Sequence, residues 1–551
     1  MFSKQKNFKK VSLIFLTFGL GLSLQSCNDF QKDLDKEIGA FEIAAEQREL
    51  AKTNEAGYPV LDAGRGNPNW INSEARYAFS RLMNFAISEC ERSIDSGSMA
   101  GQGTKEGIGN RFDETMDEND PIDKFLIDSV SYCVNDLKMN KEDLLFEFSN
   151  GIIGDYYPSP SRCLEFSEKI MNEFLESILY KGVHLSDKTD LFPTEGGSAA
   201  MSYIFHSLNH NKLLLPGDKI AIGTPIFTPY LQIPDVNNYG LVSINVSSSE
   251  ENDWDIPETE INKLKDKSIK ALFLVNPSNP ASHSLSDDTI SRLEKVIEVN
   301  PNLIILTDDV YGSFVNNFQS VYARIPYNTI LVYSYSKLYG VTGWRTGLIA
   351  MNKNNVMDKL LKELPKNKKD QLNREYSIVT TEPENMKFID RVTADSRSVG
   401  LYHTSGLSTP SQIFMDILSL THLIRKDNDP YLKQCNDLLT ERYETLMNEF
   451  ELEVDDVTKN AKYYSVININ TIIRNTYGEG LLNWKKENKT DLDFLYDLAK
   501  KVGVVLMYGP GFETLEGYVR VSLANLNSED YKEIARRIYE VLDYYYSLSR
   551  A

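Results

Sequence analysis

Between Leu191 and Asn352 the chain alternates short apolar runs with helical stretches, and each run ends in a polar turn containing glycine or proline. Such runs are Lys219-Ile220-Ala221-Ile222, Ala271-Leu272-Phe273-Leu274-Val275, Leu303-Ile304-Ile305-Leu306 and Ile330-Leu331-Val332-Tyr333. Unbroken apolar runs separated by helices predict an α/β architecture with a mostly parallel sheet covered on both faces. From about residue 405 the pattern changes to helices and alternating strands, including Tyr463-Tyr464-Ser465-Val466-Ile467 and Tyr518-Val519-Arg520-Val521-Ser522. A smaller α+β domain follows from it, closed by a helix from Glu529 to Tyr545. Ahead of the sheet, residues 28–57 are charged and mostly helical in pattern, which predicts a tether and then an arm that packs on a partner subunit. The glycines and proline of Ala63-Gly64-Arg65-Gly66-Asn67-Pro68-Asn69 enforce an irregular loop. The acidic, glycine-containing stretch from about Ser96 to Asp123 has little apolar periodicity and predicts a surface excursion.

The first residues add a different signal. Lys4, Lys6, Lys9 and Lys10 precede an apolar run from Val11 to Leu24, short for a transmembrane helix but suited to a secretory signal. The run ends in Leu24-Gln25-Ser26-Cys27, which resembles a bacterial lipobox, with Cys27 as the lipidated residue. Residues 1–27 then form a lipoprotein signal peptide, and the protein is exported and membrane-anchored on the periplasmic or cell-surface side. If the signal is not used, the protein stays in the cytoplasm. The other reading is an amphipathic anchoring segment with an incidental cysteine.

Composition narrows the function classes. A chain of 551 residues supports two or more structural units. Acidic residues outnumber basic ones by 79 to 59, a formal charge of -20, which argues against nucleic acid and against membrane contact other than through a lipid anchor. Cys90, Cys133, Cys163 and Cys435 lack metal-ligand spacing, so no metal site is predicted; they could pair or remain buried thiols.

The candidate chemistry gathers at the ends of the predicted strands, where open α/β sheets place their sites. Ser334-Tyr335-Ser336-Lys337 follows an apolar run, with Gly340, Gly343 and Arg345 close behind. A lysine so placed can form a Schiff base with pyridoxal phosphate (PLP), while hydroxyls and an arginine hold a phosphate. After Leu191-Phe192-Pro193, Gly197 and Ser198 open a helix and can offer N–H groups and a hydroxyl to that phosphate. Phe227 could stack on a flat heterocycle. Asn279, between two prolines, could donate to a phenolate oxygen. Asp308 suits a pyridine nitrogen, and Tyr311 the same phenolic oxygen.

This order of motifs, ending in Arg520, resembles fold-type I PLP enzymes of the aspartate aminotransferase superfamily over nearly all of the mature chain. Ala63 to Asn69, Tyr156-Tyr157-Pro158, Glu195 to Met201, Phe227-Thr228-Pro229-Tyr230, Leu306 to Gly312, Thr404 to Pro410 and Val521 to Asn527 are similar to the aspartate 4-decarboxylase branch. The resemblance implies a large PLP-binding domain with a seven-stranded sheet over residues 86–404, with insertions near 85–150 and 353–403. It also implies an arm and part of the small domain over 28–85, and the remaining small domain over 405–551. It assigns Lys337 as Schiff-base lysine and proton shuttle, Asp308 to the ring nitrogen, Asn279 and Tyr311 to the phenolic oxygen, and Phe227 to the ring face. Gly197, Ser198, Ser334 and Arg345 would bind the phosphate, with Tyr157 reaching in from a neighbouring subunit of a homodimer or a larger assembly of dimers. Arg520 would clamp the α-carboxylate of L-aspartate, with Gly66, Asn67 and Asn279 lining the pocket. For the β-carboxylate Arg65 is the first candidate, then Arg397 or His403. The implied activity is β-decarboxylation of L-aspartate to L-alanine and CO2, with side transamination. The alternatives are an aspartate- or aromatic-type aminotransferase or another PLP lyase, and, behind these, a non-catalytic lipoprotein that kept the fold.

Overall fold

The computed structural model describes residues 39–94, 97–157, 162–234, 239–398, 406–454 and 458–551. The lipobox cysteine Cys27 and His403 lie outside them. A two-residue strand, β1 (Leu61–Asp62), comes first. The apolar runs then become β2 (Thr189–Thr194), β3 (Lys219–Thr224), β4 (Val242–Ser247), β5 (Ile269–Val275), β6 (Ile304–Asp308), β7 (Thr329–Ser334) and β8 (Gly347–Asn352). These form one sheet of seven strands in the order β2-β8-β7-β6-β5-β3-β4. Successive residues of β5 divide between two apolar clusters, with Ala271, Phe273 and Val275 in one and Leu272 and Leu274 in the other. Because side chains alternate along a strand, both faces of the sheet are buried, which is why the run has no polar alternation.

Only β8 runs against its neighbours; β2 and β7 both pair with it antiparallel, and the remaining pairs are parallel. β2 therefore points the same way as β7, and the carboxyl ends of six strands open on one edge, joined there by the start of β8. A second sheet is built from β9 (Tyr464–Asn468), β11 (Met507–Tyr508) and β12 (Tyr518–Ser522), antiparallel in the order β11-β12-β9. β1 pairs in parallel with β10 (Val504–Val505), which brings the glycine loop at 63–69 beside this smaller sheet. The closing helix runs Ser528–Ser549.

One expectation needs correction and another gains detail. The helix Ala40–Ala51 packs one face on its own chain: it buries Ile43, Ala44, Gln47 and Ala51, and Gln47 Oε1 accepts the Leu506 N–H at 3.2 Å. Its small apolar face packs on the chain's own second sheet, with Ala40 and Ala44 in one cluster with Val505, Met507 and Phe512. The stretch from Ser96 to Asp123 is not only a surface excursion. It contains the helix Ile108–Thr115, whose Ile108 and Phe112 are buried, Phe112 edge-on to Phe85 with ring centres 5.4 Å apart. One apolar pair at i and i+4 fills a helix stripe but is too short to register as periodicity. Cys90, Cys133, Cys163 and Cys435 are free, buried thiols.

The segment after β8 is pinned to the helix that follows β2 through a polar cluster. Asp395, fully buried, accepts from Tyr376 Oη at 2.8 Å, Asn211 Nδ2 at 3.1 Å and the Ser207 hydroxyl. His210, at the end of the helix Gly197–His210, lies between Asp395 (2.8 Å) and Glu375 (2.9 Å). The Asp395 hydrogen bond raises the histidine's ionisation above its usual value, against burial and together with Glu375. A raised value stabilises the fold fully below the unfolded value of about 6.5, and the contribution is lost as pH rises through the folded value. The denaturation midpoint of wild type should therefore exceed that of His210→Gln by more near pH ~6 than near pH ~9. A difference that does not vary with pH would mean that His210 is held neutral.

Candidate active site

Strand β7 delivers the lysine. Its last residue, Ser334, is buried, with Oγ 3.0 Å from both the Thr346 carbonyl oxygen and Ser336 Oγ. Tyr335 beside it stacks on Phe174 at 5.2 Å, and its hydroxyl lies 2.8 Å from Ser419 Oγ, which fixes the backbone from which Lys337 projects. Lys337 Nζ donates to the Gly66 carbonyl at 3.0 Å, and the same carbonyl accepts from Tyr463 Oη at 2.9 Å. The loop carrying Gly66 thus meets the lysine directly. A Cβ at Gly66 would fall 2.5 Å from Tyr464 Oη, so glycine leaves room for that hydroxyl beside the loop.

Strand β2 delivers an anion cradle. Gly196 has φ +92°, and Gly197 opens the following helix, with Ser198 exposed beside it. Arg345, in a left-handed conformation just before β8, reaches back so that Nη2 donates to the Glu195 carbonyl at 3.2 Å and Nη1 to the Thr342 carbonyl at 3.0 Å. A Cβ at Gly196 would lie 2.6 Å from Arg345 Nη2. Arg345 forms no ion pair with a carboxylate among the described residues. Free N–H groups at a helix start beside an uncompensated guanidinium favour a phosphate.

Strand β6 ends on Asp308, which is buried. Its Oδ2 accepts from Tyr230 Oη at 2.8 Å and its Oδ1 from the Val310 N–H at 3.2 Å. Burial pushes this carboxyl up to about 6, while the Tyr230 hydroxyl, the Val310 N–H and the Lys337 charge oppose the rise. At neutral pH it is mostly ionised and suited to a cationic partner. Phe227 is half-buried and stands edge-on to Tyr230 at 5.1 Å and to Phe41 at 5.6 Å.

Strand β12 brings in Arg520, 2 % exposed. Nη1 donates to Asn279 Oδ1 at 3.0 Å and Nη2 to the Gly64 carbonyl at 2.8 Å, while Nε has no hydrogen-bond partner. The guanidinium lies over the rings of Tyr464 (4.1 Å) and Phe512 (4.9 Å), and no carboxylate pairs with it among the described residues. A buried cation with a free N–H is complementary to a carboxylate from outside the chain. Tyr311 Oη lies 3.1 Å from Tyr464 Oη.

The structure thus brings Lys337, Asp308, Asn279, Tyr311, Ser334, Arg345, Arg520, Gly66, Gly197, Ser198 and Phe227 to one edge of the sheet. Other candidates stand apart. Arg65 is exposed and bonds Asp62 Oδ2 at 3.1 Å, an oxygen that also holds Arg48 at 2.7 Å; Asn67 is exposed. Arg397 lines a separate cavity of about 360 Å³ with Thr380, Asn385, Asp390 and Thr393. Tyr157 is 76 % exposed. Sequence reasoning missed Tyr230 and Tyr464. The i, i+3 spacing from Phe227 on a helical turn could have indicated Tyr230; Tyr464 read as an ordinary strand residue.

The residues present fit PLP: an amine, a buried carboxylate, a hydroxyl and amide pair at Tyr311 and Asn279, a helix-start cradle with a guanidinium, and a second guanidinium for a substrate carboxylate. The class I and II aminotransferase family matches residues 157–538. A Pseudomonas protein described as a bifunctional aspartate aminotransferase and L-aspartate beta-decarboxylase is 38 % identical over 519 residues, covering 93 % of this chain and 97 % of the relative. A probable aspartate aminotransferase of Methanocaldococcus jannaschii is 28 % identical over 180 residues, 32 % of this chain and 44 % of that one. Among solved structures, a Thermus thermophilus aspartate aminotransferase double mutant superposes with TM-score 0.58 at 15 % identity, covering 91 % of this chain and 96 % of that one. The Rhizobium meliloti aspartate aminotransferase gives TM-score 0.58 at 16 % identity, covering 92 % and 96 %. These likenesses show the fold, with its mostly parallel seven-stranded sheet.

The cradle makes a direct test. Gly196→Ala forces an L side chain into a positive-φ position against Arg345, so PLP should bind the apoenzyme at least about tenfold more weakly, ~1.4 kcal/mol, read by fluorescence titration. Arg345→Ala should weaken it similarly. Unchanged affinity in both variants would remove the phosphate role.

Proposed function

Because the chain belongs to the class I and II aminotransferase family, we propose that it decarboxylates L-aspartate at the β-carbon, giving L-alanine and CO2, with aspartate transamination as a side activity. The observation that carries this is the near-full-length likeness to the bifunctional Pseudomonas enzyme, joined to a site whose residues fit PLP and an α-carboxylate. The alternative, an aminotransferase alone, uses the same residues and differs in where the second carboxylate sits.

Lys337 would hold the aldehyde carbon of PLP, Asp308 its ring nitrogen, Asn279 and Tyr311 its phenolic oxygen, Phe227 its ring face, and Gly197, Ser198, Ser334 and Arg345 its phosphate. When bound, PLP supplies an electron sink for the carbons next to the substrate nitrogen. Arg520 binds the α-carboxylate through its free N–H edge, and its planar fork fixes the orientation of Cα. Lys337, aimed by the Gly66 carbonyl, takes the Cα proton as general base and returns it as acid. Asp308 stays ionised because Tyr230 and Val310 hold its oxygens, and a cation beside it lowers its value further. In the net reaction the bond from Cβ to its carboxylate breaks, CO2 leaves, and a proton takes its place on Cβ.

The branch between the two activities depends on how firmly the β-carboxylate is neutralised. Arg65, the first candidate to do so, is exposed and pairs with Asp62, apart from the groups gathered at the sheet edge. A β-carboxylate without a firm countercharge is poorly stabilised, which favours its loss as CO2. We also propose that the working unit is a homodimer or a larger assembly of dimers. Exposed Tyr157, with Ile71, Tyr77 and Trp344 exposed elsewhere on the surface, supports a second copy covering this chain. The basic and apolar stretch ending in Cys27 supports export as a membrane-anchored lipoprotein, testable by cell fractionation.

Purified holoenzyme given L-aspartate without a keto acid should release alanine and CO2 in equal amounts over many turnovers, and Lys337→Ala should abolish both. Oxaloacetate without CO2, formed only once 2-oxoglutarate is supplied, would make the protein an aminotransferase instead.

A further inference from the structure

Tyr464 touches both ends of the reaction site, although none of the sequence motifs singled it out. It sits on β9 opposite Ser522 of β12, 2 % exposed, with its N–H donated to Ser282 Oγ at 2.8 Å. Its ring carries the Arg520 guanidinium at 4.1 Å, and its hydroxyl lies 3.1 Å from that of Tyr311. The neighbouring Tyr463 also packs on Tyr311, at 5.0 Å between ring centres, but sends its hydroxyl to the Gly66 carbonyl. Tyr464 is therefore the residue in contact with both the substrate-carboxylate arginine and the tyrosine assigned to the cofactor's phenolic oxygen.

We propose that Tyr464 is a positioning residue that completes a hydrogen-bond chain onto Tyr311 and couples it to the charge on Arg520, an inference that rests on the function proposed above. A tyrosine hydroxyl has one hydrogen. If Tyr311 spends its hydrogen on the phenolic oxygen, its own oxygen is left to accept one, and the Tyr464 hydroxyl is the neighbour placed to donate it. Each bond in such a chain polarises the next, so Tyr311 becomes a stronger donor and the phenolic oxygen holds negative charge more readily. A cation on the face of the Tyr464 ring draws electron density from it and strengthens that donor again. Binding of an α-carboxylate to Arg520 offsets this pull, so substrate binding reaches the phenolic oxygen through one side chain. Gly66 leaves the room in which the Tyr464 hydroxyl turns toward Tyr311.

Tyr464→Phe removes the hydroxyl and keeps the ring; Tyr464→Leu removes both. In the holoenzyme, the pH midpoint of the bound cofactor's visible absorbance should rise by about half a unit in Tyr464→Phe, because the phenolic oxygen holds its charge less well. KM for aspartate should stay within about twofold in that variant and rise roughly three- to tenfold in Tyr464→Leu, which loses the ring under Arg520. Added to Tyr311→Phe, the Tyr464→Phe change should shift the midpoint no further, since the chain is already cut. A midpoint unmoved by Tyr464→Phe, or an equal further shift in the double variant, overturns the proposal. The titration needs no turnover, so it stands apart from the aspartate assay: a wild-type holoenzyme without a pH-dependent band would overturn this inference and leave the proposed function to the release of alanine and CO2.

Discussion

Arg520 holds a positive charge where water does not reach, and three segments distant in sequence, with the turn just before its own strand, are arranged to tolerate it. Asn279 comes from the turn after β5, the Gly64 carbonyl from the loop after β1, Tyr464 from β9 and Phe512 from the turn before β12. Burying a guanidinium is costly, and the cost is met here by two hydrogen bonds and two aromatic faces rather than by a carboxylate. Each segment must be in place for the charge to be tolerated, so the large sheet and the smaller one are held in register around one buried guanidinium.

The Gly66 carbonyl plays a comparable part on the other side. It receives the Lys337 ammonium and the Tyr463 hydroxyl together, and so joins the glycine loop, the lysine turn and the second sheet at one oxygen. Asp308 feels the charge of the same lysine. Its burial would neutralise it, and the Tyr230 hydroxyl and Val310 N–H act against that. The site is thus a set of charges kept in unfavourable surroundings by neutral neighbours.

Much of this was readable from the chain. The unbroken apolar runs became the strands of the main sheet because both faces are covered, and the residues at their ends meet because six strands share one open edge. What sequence hid was contact across elements. Tyr464 and Tyr230 lie on an ordinary strand and an ordinary turn, and only the packing of β9 against the loop at Gly66, and of a short helix against β6, reveals what their hydroxyls touch. The contact of the helix at 40–51 with its own second sheet was hidden because its buried face is made largely of alanines, whose burial leaves a weak pattern. Arg65 looked available because sequence does not show that Asp62 already engages it.

Strand β8 has a further consequence. Since it returns antiparallel beside β7, the chain between them is a closed span, and Lys337 and Arg345 both lie on it. The amine and the guanidinium are therefore spaced by a ruler of fixed length whose two ends are clamped by ladder hydrogen bonds. Extra residues anywhere in that span would pull the two groups apart, whereas the helical segment after β8 can grow without altering their separation. Room for evolutionary lengthening lies just beyond Asn352, while the ladder between β7 and β8 holds the length before it.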